Sequence, residues 1–352
     1  MSPPTCNDHA ALVILDGSMG SYLETHYQQD LSTKLWSTKL LHSNPHLIRQ
    51  VHLDYLRAGA DIISTGTYQI AEHNLDDLEG HYTMRELFHQ AFRLAVESCQ
   101  RLEQELQKGH SNTMANPNSE QVTQNRRQPP RVALSLGSFG AVVGGGAEYT
   151  GEFGCADDQI YQFHRNRLQV ALDVLAEEPQ YSTYVRWVAF ETIPSYRELE
   201  ILTQVLHDLG QISPWRTILQ RLKVWVSLVC RDSVQIRHGE SLAKCVELLH
   251  QCPDVAVVGV NCTYPGDDGG SIRKILEVFR KATDKPLVCY PNVQLWDEEL
   301  NQWSPSSLVS PASFAQQAQS WARSGATILG GCCCTTPAHI HQLYRAREAF
   351  EG

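Results

Sequence analysis

The stretch Asn44-Pro-His-Leu-Ile-Arg-Gln-Val-His-Leu-Asp-Tyr-Leu-Arg-Ala-Gly-Ala-Asp-Ile-Ile63 contains the plan of the whole chain. Asn44 stands at a helix cap position, Pro45 in the first turn, and Gly59 is the stop. Straight after the glycine an apolar strand begins. The same junction returns near the C-terminus. A helix opening at Ser310-Pro311 stops at Gly325, and Ala326–Leu329 follows as a strand. Arg57-Ala-Gly-Ala-Asp-Ile-Ile63 and Arg323-Ser-Gly-Ala-Thr-Ile-Leu329 are thus two copies of one pattern. A third helix, Ser195–Leu209, ends at Gly210 by the same rule.

Working outward, short runs rich in Val, Ile and Leu read as strands at Ala11–Leu15, Asp61–Thr65, Arg131–Leu136, Trp187–Phe190, Val224–Val229, Val255–Val260, Pro286–Tyr290 and Ala326–Leu329. Continuous apolar runs of this length suit strands covered on both faces. Strands alternating with helices predict an α/β chain folded as a single (β/α)8 TIM-type barrel over 1–352. An open doubly wound sheet is the runner-up. It is disfavoured because no glycine-rich phosphate loop follows the first strand. A polar stretch at 109–130, nearly devoid of large apolar residues, predicts a flexible insertion before strand three. It enters on the helix-to-strand side, away from any active site.

The chain has 352 residues, 42% hydrophobic and 19% charged, with a formal net charge of −10. An acidic surface argues against a nucleic-acid partner and is compatible with a cationic small molecule. No segment is long and apolar enough for a membrane span. The first residues, Met1-Ser-Pro-Pro-Thr-Cys-Asn-Asp-His9, lack the basic start and apolar centre of a secretory signal. The eleven cysteines are irregularly spaced, which suits a reducing compartment. The expectation is a cytoplasmic protein without a membrane partner. Its oligomeric state is open.

In a barrel, functional groups gather where strands end and loops begin. Those ends read Asp16-Gly17-Ser18, Thr67-Tyr68-Gln69, Gly137-Ser138-Phe139-Gly140, Glu191-Thr192, Asn261-Cys262-Thr263, Tyr290-Pro291-Asn292 and Gly331-Cys332-Cys333-Cys334. Thiolate sulfur is a soft ligand, and several thiolates meeting at one point favour zinc. Strands six and eight flank strand seven, so Cys262, Cys332 and Cys333 can share one ion. Adjacent cysteines reach one point only if the backbone leaves the extended form, a freedom expected from Gly330 and Gly331. Three ligands leave a fourth position open for a substrate thiol. A closed structural site with Cys334 as fourth ligand, or simply buried cysteines, are the alternatives.

Asp16 and Glu191 are carboxylates at the ends of apolar strands and need a partner. A substrate ammonium group would serve, with the Gly17 N–H facing a carboxylate. Tyr68 and Trp36 are candidate walls for a cationic methyl donor.

With these residues assembled, the chain resembles the zinc-dependent homocysteine S-methyltransferase family. The motifs are Leu15-Asp-Gly-Ser-Met-Gly20, Leu35-Trp-Ser37, Thr67-Tyr-Gln69, Gly146-Ala-Glu-Tyr-Thr-Gly151, Phe190-Glu-Thr-Ile-Pro194, Gly259-Val-Asn-Cys-Thr263, Tyr290-Pro-Asn292 and Gly330-Gly-Cys-Cys333. They are closest to the branch using S-methylmethionine or S-adenosylmethionine. The resemblance implies Zn2+ on Cys262, Cys332 and Cys333, and homocysteine as acceptor. It places the acceptor amine near Asp16 and Glu191, its carboxylate near Gly17 and Ser37, and the sulfonium donor beside Trp36 and Tyr68. Asn261 joins the substrate-binding set. The implied reaction is methyl transfer giving methionine. A methyltransferase for selenocysteine or another thiol, or a non-catalytic zinc barrel, are the alternatives. Cys334 departs from the family, which commonly has Arg there.

Overall fold

The computed structural model describes residues 12–31, 37–77, 82–109, 128–266, 270–297, 302–304 and 306–350. Its strands are β1 Val13–Ile14, β2 Ile62–Ser64, β3 Arg131–Gly137, β4 Val185–Ile193, β5 Lys223–Leu228, β6 Val257–Asn261 and β7 Leu287–Tyr290. A small antiparallel hairpin, β8 Trp296–Asp297 with β9 Gln302–Trp303, precedes β10 Ala326–Leu329. The parallel sheet runs β1-β10-β7-β6-β5-β4-β3-β2. A parallel bridge between Leu15 and Ile62 joins its two ends. There the Asp16 N–H donates to the Ile62 carbonyl at 3.0 Å and the Asp61 N–H to the Ile14 carbonyl at 2.7 Å. The result is the expected (β/α)8 barrel.

The repeated junction folds as read. Helices Pro45–Ala58 and Pro311–Arg323 give way to Gly59 (φ 108°) and Gly325 (φ 102°). Both glycines occupy left-handed backbone that a side chain resists, and the chain turns there into β2 and β10. Gly210 behaves differently. It sits inside the helix Tyr196–Gly210, and Gln211 forms the cap. Strand β4 outruns its apolar core because Glu191 is still paired, opposite Gly137 of β3. The expected insertion at 109–130 falls mostly outside the described residues. No helix among the described residues is long and apolar enough to cross a membrane.

Inside the barrel, Leu15, Ile62, Ala133, Ala189, Trp225, Val257, Val288, Tyr290 and Ile328 form one apolar cluster. The small Ala133 and Ala189 make room for the large Trp225, so the interior is filled and opens only at its rim. At the opposite end, Arg347 of the terminal helix Pro337–Phe350 pairs with Asp61. The same Asp61 accepts the Ile14 N–H at 2.9 Å. This buried ion pair latches the last helix to the first two strands.

His52, in the helix Pro45–Ala58, is 1% exposed, and neither ring nitrogen has a partner among the described residues. Burial alone pushes its pKa down to about 4. The folded state therefore resists a proton that the unfolded chain accepts near 6.5. This contribution to stability is complete above that value and is lost as pH falls toward about 4. Between pH 7 and pH 5 the loss is about 2 kcal/mol. His52→Leu abolishes that part of the acid sensitivity, measured as unfolding free energy against pH relative to the parent. An unchanged pH slope in the variant contradicts the assignment.

Candidate metal centre and substrate pocket

Cys262 follows β6, and Cys332 and Cys333 follow β10, with β7 between those strands in the sheet. Their three Sγ atoms lie within 4.8 Å of one another. Zinc bound to sulfur at about 2.3 Å needs thiolates about 3.8 Å apart at the corners of a tetrahedron. The cluster fits such an ion without rebuilding the loops.

Local backbone chemistry aims each thiol. Cys262 takes a left-handed φ of 46°, uncommon for a residue with a side chain, which swings it off the strand direction. The turn after β10 is held by the segment after β7. The Cys332 N–H donates to the Pro291 carbonyl at 2.9 Å, and the Cys333 N–H to Asn292 Oδ1 at 3.0 Å. The Val293 N–H returns a bond to the Cys333 carbonyl at 3.2 Å, and the Thr335 hydroxyl donates to the Cys332 carbonyl at 2.6 Å. The two glycines act otherwise than expected. Neither has a positive φ; both are needed for close approach. A Cβ on Gly330 would stand 2.5 Å from that of Leu15, and one on Gly331 2.4 Å from Thr335 Cγ2. Gly330 lets this turn lie against the end of β1, and Gly331 lets it fold back on Thr335.

Cys334 leaves the cluster. It has φ 65°, its N–H donates to Ser21 Oγ at 3.1 Å, and burial pushes its thiol up to about 12. Its neighbours are Ser21 and Glu24. The closed four-cysteine alternative therefore finds no support in the geometry.

The Cys262 thiol is held well below the ordinary range. Hydrogen bonds from Cys332 and Cys333 are the main cause, and the hydroxyls of Thr192 and Tyr149 add to it against the opposing effect of burial. Cys332 and Cys333 are both raised, chiefly by that anionic neighbour. One negative charge is thus easily carried by the set, whereas three buried thiolates require a cation among them.

Two acids face the same mouth. Asp16 Oδ2 accepts the Ser64 N–H at 2.6 Å, and its other oxygen accepts the Ser64 hydroxyl at 3.2 Å. Burial nevertheless raises it to about 7. Glu191 is also raised to about 7 by burial, against the lowering hydroxyls of Ser135 and Tyr290, with the charges of Cys262 and Asp16 pushing the same way as burial. Tyr290 is itself fixed by Trp225 Nε1 at 3.1 Å and Ser227 Oγ at 2.6 Å. Each acid is 8% exposed, and neither has a Lys or Arg partner among the described residues. They are suited to receive a cation from outside the chain.

Of the other expected residues, Gly17 and Ser37 lie at the rim, with Ser37 buried just ahead of the helix Thr38–Ser43 and making no side-chain cap to it. Tyr68 stands within electrostatic reach of Cys262, Glu148 and Glu191, its hydroxyl against Thr192. Trp36 lies outside the described residues. Asn261 acts indirectly: its Oδ1 accepts the Thr192 N–H at 2.9 Å and its amide donates to Thr192 Oγ1 at 2.7 Å. That grip stabilises Thr192 at φ 61°, beside the Cys262 thiol.

Several contributors carry no signal in the sequence. Ser135 sits among apolar neighbours and is an ordinary strand residue until folded, and Thr192, though inside a motif, gave no sign of its place beside Cys262. Arg167, in the helix Asp157–Glu177, is 1% exposed. It donates to the carbonyls of Gly137 at 2.8 Å and Tyr68 at 2.7 Å, pinning the Tyr68 loop from behind. Glu148 and Tyr149, in the motif Gly146–Gly151, also reach the cluster. The motif was visible, but its folding back over the rim was not.

Fold and site together define a barrel enzyme whose rim gathers three thiols and two buried acids. A family model described as homocysteine S-methyltransferase matches residues 13–347. The chain is 35% identical over 338 residues to homocysteine S-methyltransferase 2 of Zea mays, covering 95% of this chain and 89% of that protein. It is 32% identical over 360 residues to a selenocysteine methyltransferase of Astragalus bisulcatus, with 98% and 96% covered. The crystal structure of the homocysteine methyltransferase MmuM of Escherichia coli in its metallated form aligns with a TM-score of 0.73. Identity there is 29%, and 96% of this chain and 97% of that one are covered. The chain belongs to the homocysteine S-methyltransferase family.

Proposed function

We propose that the protein transfers a methyl group from a sulfonium donor, S-methylmethionine or S-adenosylmethionine, to the sulfur of homocysteine, giving methionine. The observation that carries this reading is the convergence of Cys262, Cys332 and Cys333 within 4.8 Å, beside two acids without a cationic partner among the described residues. Zn2+ is the ion the donor set fits; when bound there it keeps the acceptor sulfur deprotonated and nucleophilic at neutral pH.

The remaining work falls to the chain. Asp16 and Glu191 receive the acceptor ammonium, and the rim at Gly17 and Ser37 receives its carboxylate. Thr192 and Tyr68 bound the space above Cys262 in which the two sulfurs meet. The donor carbon must sit about 3–3.5 Å from the acceptor sulfur, in line with the bond that breaks. That bond's electron pair stays on the donor sulfur, which leaves as a neutral thioether. No proton moves in the transfer step, so no general base is required.

The site of action is read as the cytoplasm, because all ten described cysteines are free thiols and an open thiolate cluster needs a reducing medium. A selenol acceptor is the second reading. The relative named selenocysteine methyltransferase favours it, and selenium is at least as soft a ligand as sulfur. A panel of S-methylmethionine, S-adenosylmethionine and betaine, each against homocysteine and selenocysteine with zinc-loaded protein, tests both. Methionine formed from a sulfonium is the expected result. Turnover with betaine alone refutes the donor class, and turnover with none refutes the function.

A further inference from the structure

We propose that Glu148, in the short helix Ala147–Thr150 after β3, is the counter-charge that selects a methyl donor positively charged at its sulfur. This rests on the reading of the reaction as methyl transfer from a sulfonium.

The backbone places Glu148 at the rim. Gly146 and Gly151, both at φ 75°, bound the helical turn. A Cβ on Gly140 would lie 2.4 Å from the Glu148 nitrogen and 2.5 Å from the Ala147 carbonyl carbon. The segment is therefore pressed onto the turn that ends β3, beside the Tyr68 loop. Next in sequence, Tyr149 stands against Cys262, with the Arg237 guanidinium 5.7 Å from its ring. The Glu148 carboxylate is within electrostatic reach of both Cys262 and Tyr68.

Its chemistry is unusual for that position. Oε2 is buried and has no hydrogen-bond partner among the described residues. The influences on the carboxylate are burial, its own backbone N–H and the Cys262 charge, with no Lys or Arg among them. The residue is half-buried, and a carboxylate oxygen buried without a partner costs stability. The ammonium of homocysteine is already provided for by Asp16 and Glu191. The donor brings two further positive charges, its own α-ammonium and its sulfonium, and of these the sulfonium is the one that must meet the acceptor sulfur at Cys262, where Glu148 also reaches.

The charge cycle makes the arrangement useful. A sulfonium is bound as a cation and departs as a neutral thioether, so an anion beside it holds the substrate and releases the product. Glu148 exchanges no proton and forms no bond. Its attraction weakens as the donor charge dissipates in the transition state, so it acts on donor binding rather than on kcat.

The test is Glu148→Gln in zinc-loaded protein. The expected result is a donor KM raised at least about tenfold, with kcat no lower and with homocysteine KM and metal content unchanged. Two competitive inhibitors, donor analogues carrying trimethylammonium or its neutral tert-butyl isostere in place of the sulfonium, separate charge from shape. The cation loses at least about tenfold in affinity and the isostere keeps its own. Glu148→Asp, which retains the charge, recovers part of the discrimination. Equal loss of both inhibitors, or no loss of either, overturns the proposal. Failure of the parent protein to use any sulfonium overturns the functional reading instead, whatever the variant does.

Discussion

Replacing Cys262 with alanine leaves the protein without its metal and lowers kcat/KM by more than about 10³-fold. Removing a group that merely orients a ligand costs about 10–100-fold in affinity or activity, and losing one of three direct ligands costs more. Cys332→Ala and Cys333→Ala behave alike, because the three sulfurs stand within one 4.8 Å cluster and none has a substitute in it among the described residues. Cys334→Ala is the internal control. Its thiol faces Ser21 and Glu24, so metal content and turnover hold. Metal per chain by atomic emission, alongside initial rates, reads out all four variants. Full turnover with metal retained in any of the first three removes the basis of the assignment.

Glu191→Gln raises the KM for homocysteine by about 30–5,000-fold, and Asp16→Asn does the same. Truncating one side of a buried, hydrogen-bonded charge pair costs about 2–5 kcal/mol. Both acids are raised to about 7 in the free enzyme, so each is half neutral at that pH. Above it they are anionic and ready for an ammonium; below it they must first lose a proton. Homocysteine affinity therefore rises with pH between about 6 and 8. The same shift has a stability consequence of opposite sign. A carboxyl whose folded pKa exceeds its unfolded value stabilises the protein most below about 4, and that contribution is lost as pH rises through about 7. Bound ammonium restores it, so homocysteine raises the melting temperature more at pH 8 than at pH 6. Equal shifts at the two pH values would count against these acids as the amine site.

The barrel was legible because its strands are buried on both faces and its helices are punctuated by Pro and Gly. Asn44-Pro45 and Ser310-Pro311 mark starts, and Gly59 and Gly325 mark turns that no other residue makes as easily. The thiol set was legible because soft ligands at the ends of near-neighbouring strands converge on one point, where a shared cation is the natural occupant. Three things were hidden. The extra length of β4 came from Glu191, a polar residue held in the ladder by its partner Gly137. The purpose of Gly330 and Gly331 lay in their distance to Leu15 and Thr335, which a linear pattern does not contain. In the supporting shell, Ser135 and Arg167 are residue types common in any strand or helix, and Thr192 and Tyr290, though inside motifs, did not show which side chains they hold.

The sheet order has a consequence for the newborn chain. The one cysteine on the β6 side emerges from the ribosome well before the other two, which arrive with the final stave, the one that zips against the first. A half-made polypeptide thus offers one sulfur of the three that converge, too weak a claw to capture an ion. An ion held by all three sulfurs could load only after ring closure, so its capture would mark a correctly shut cylinder.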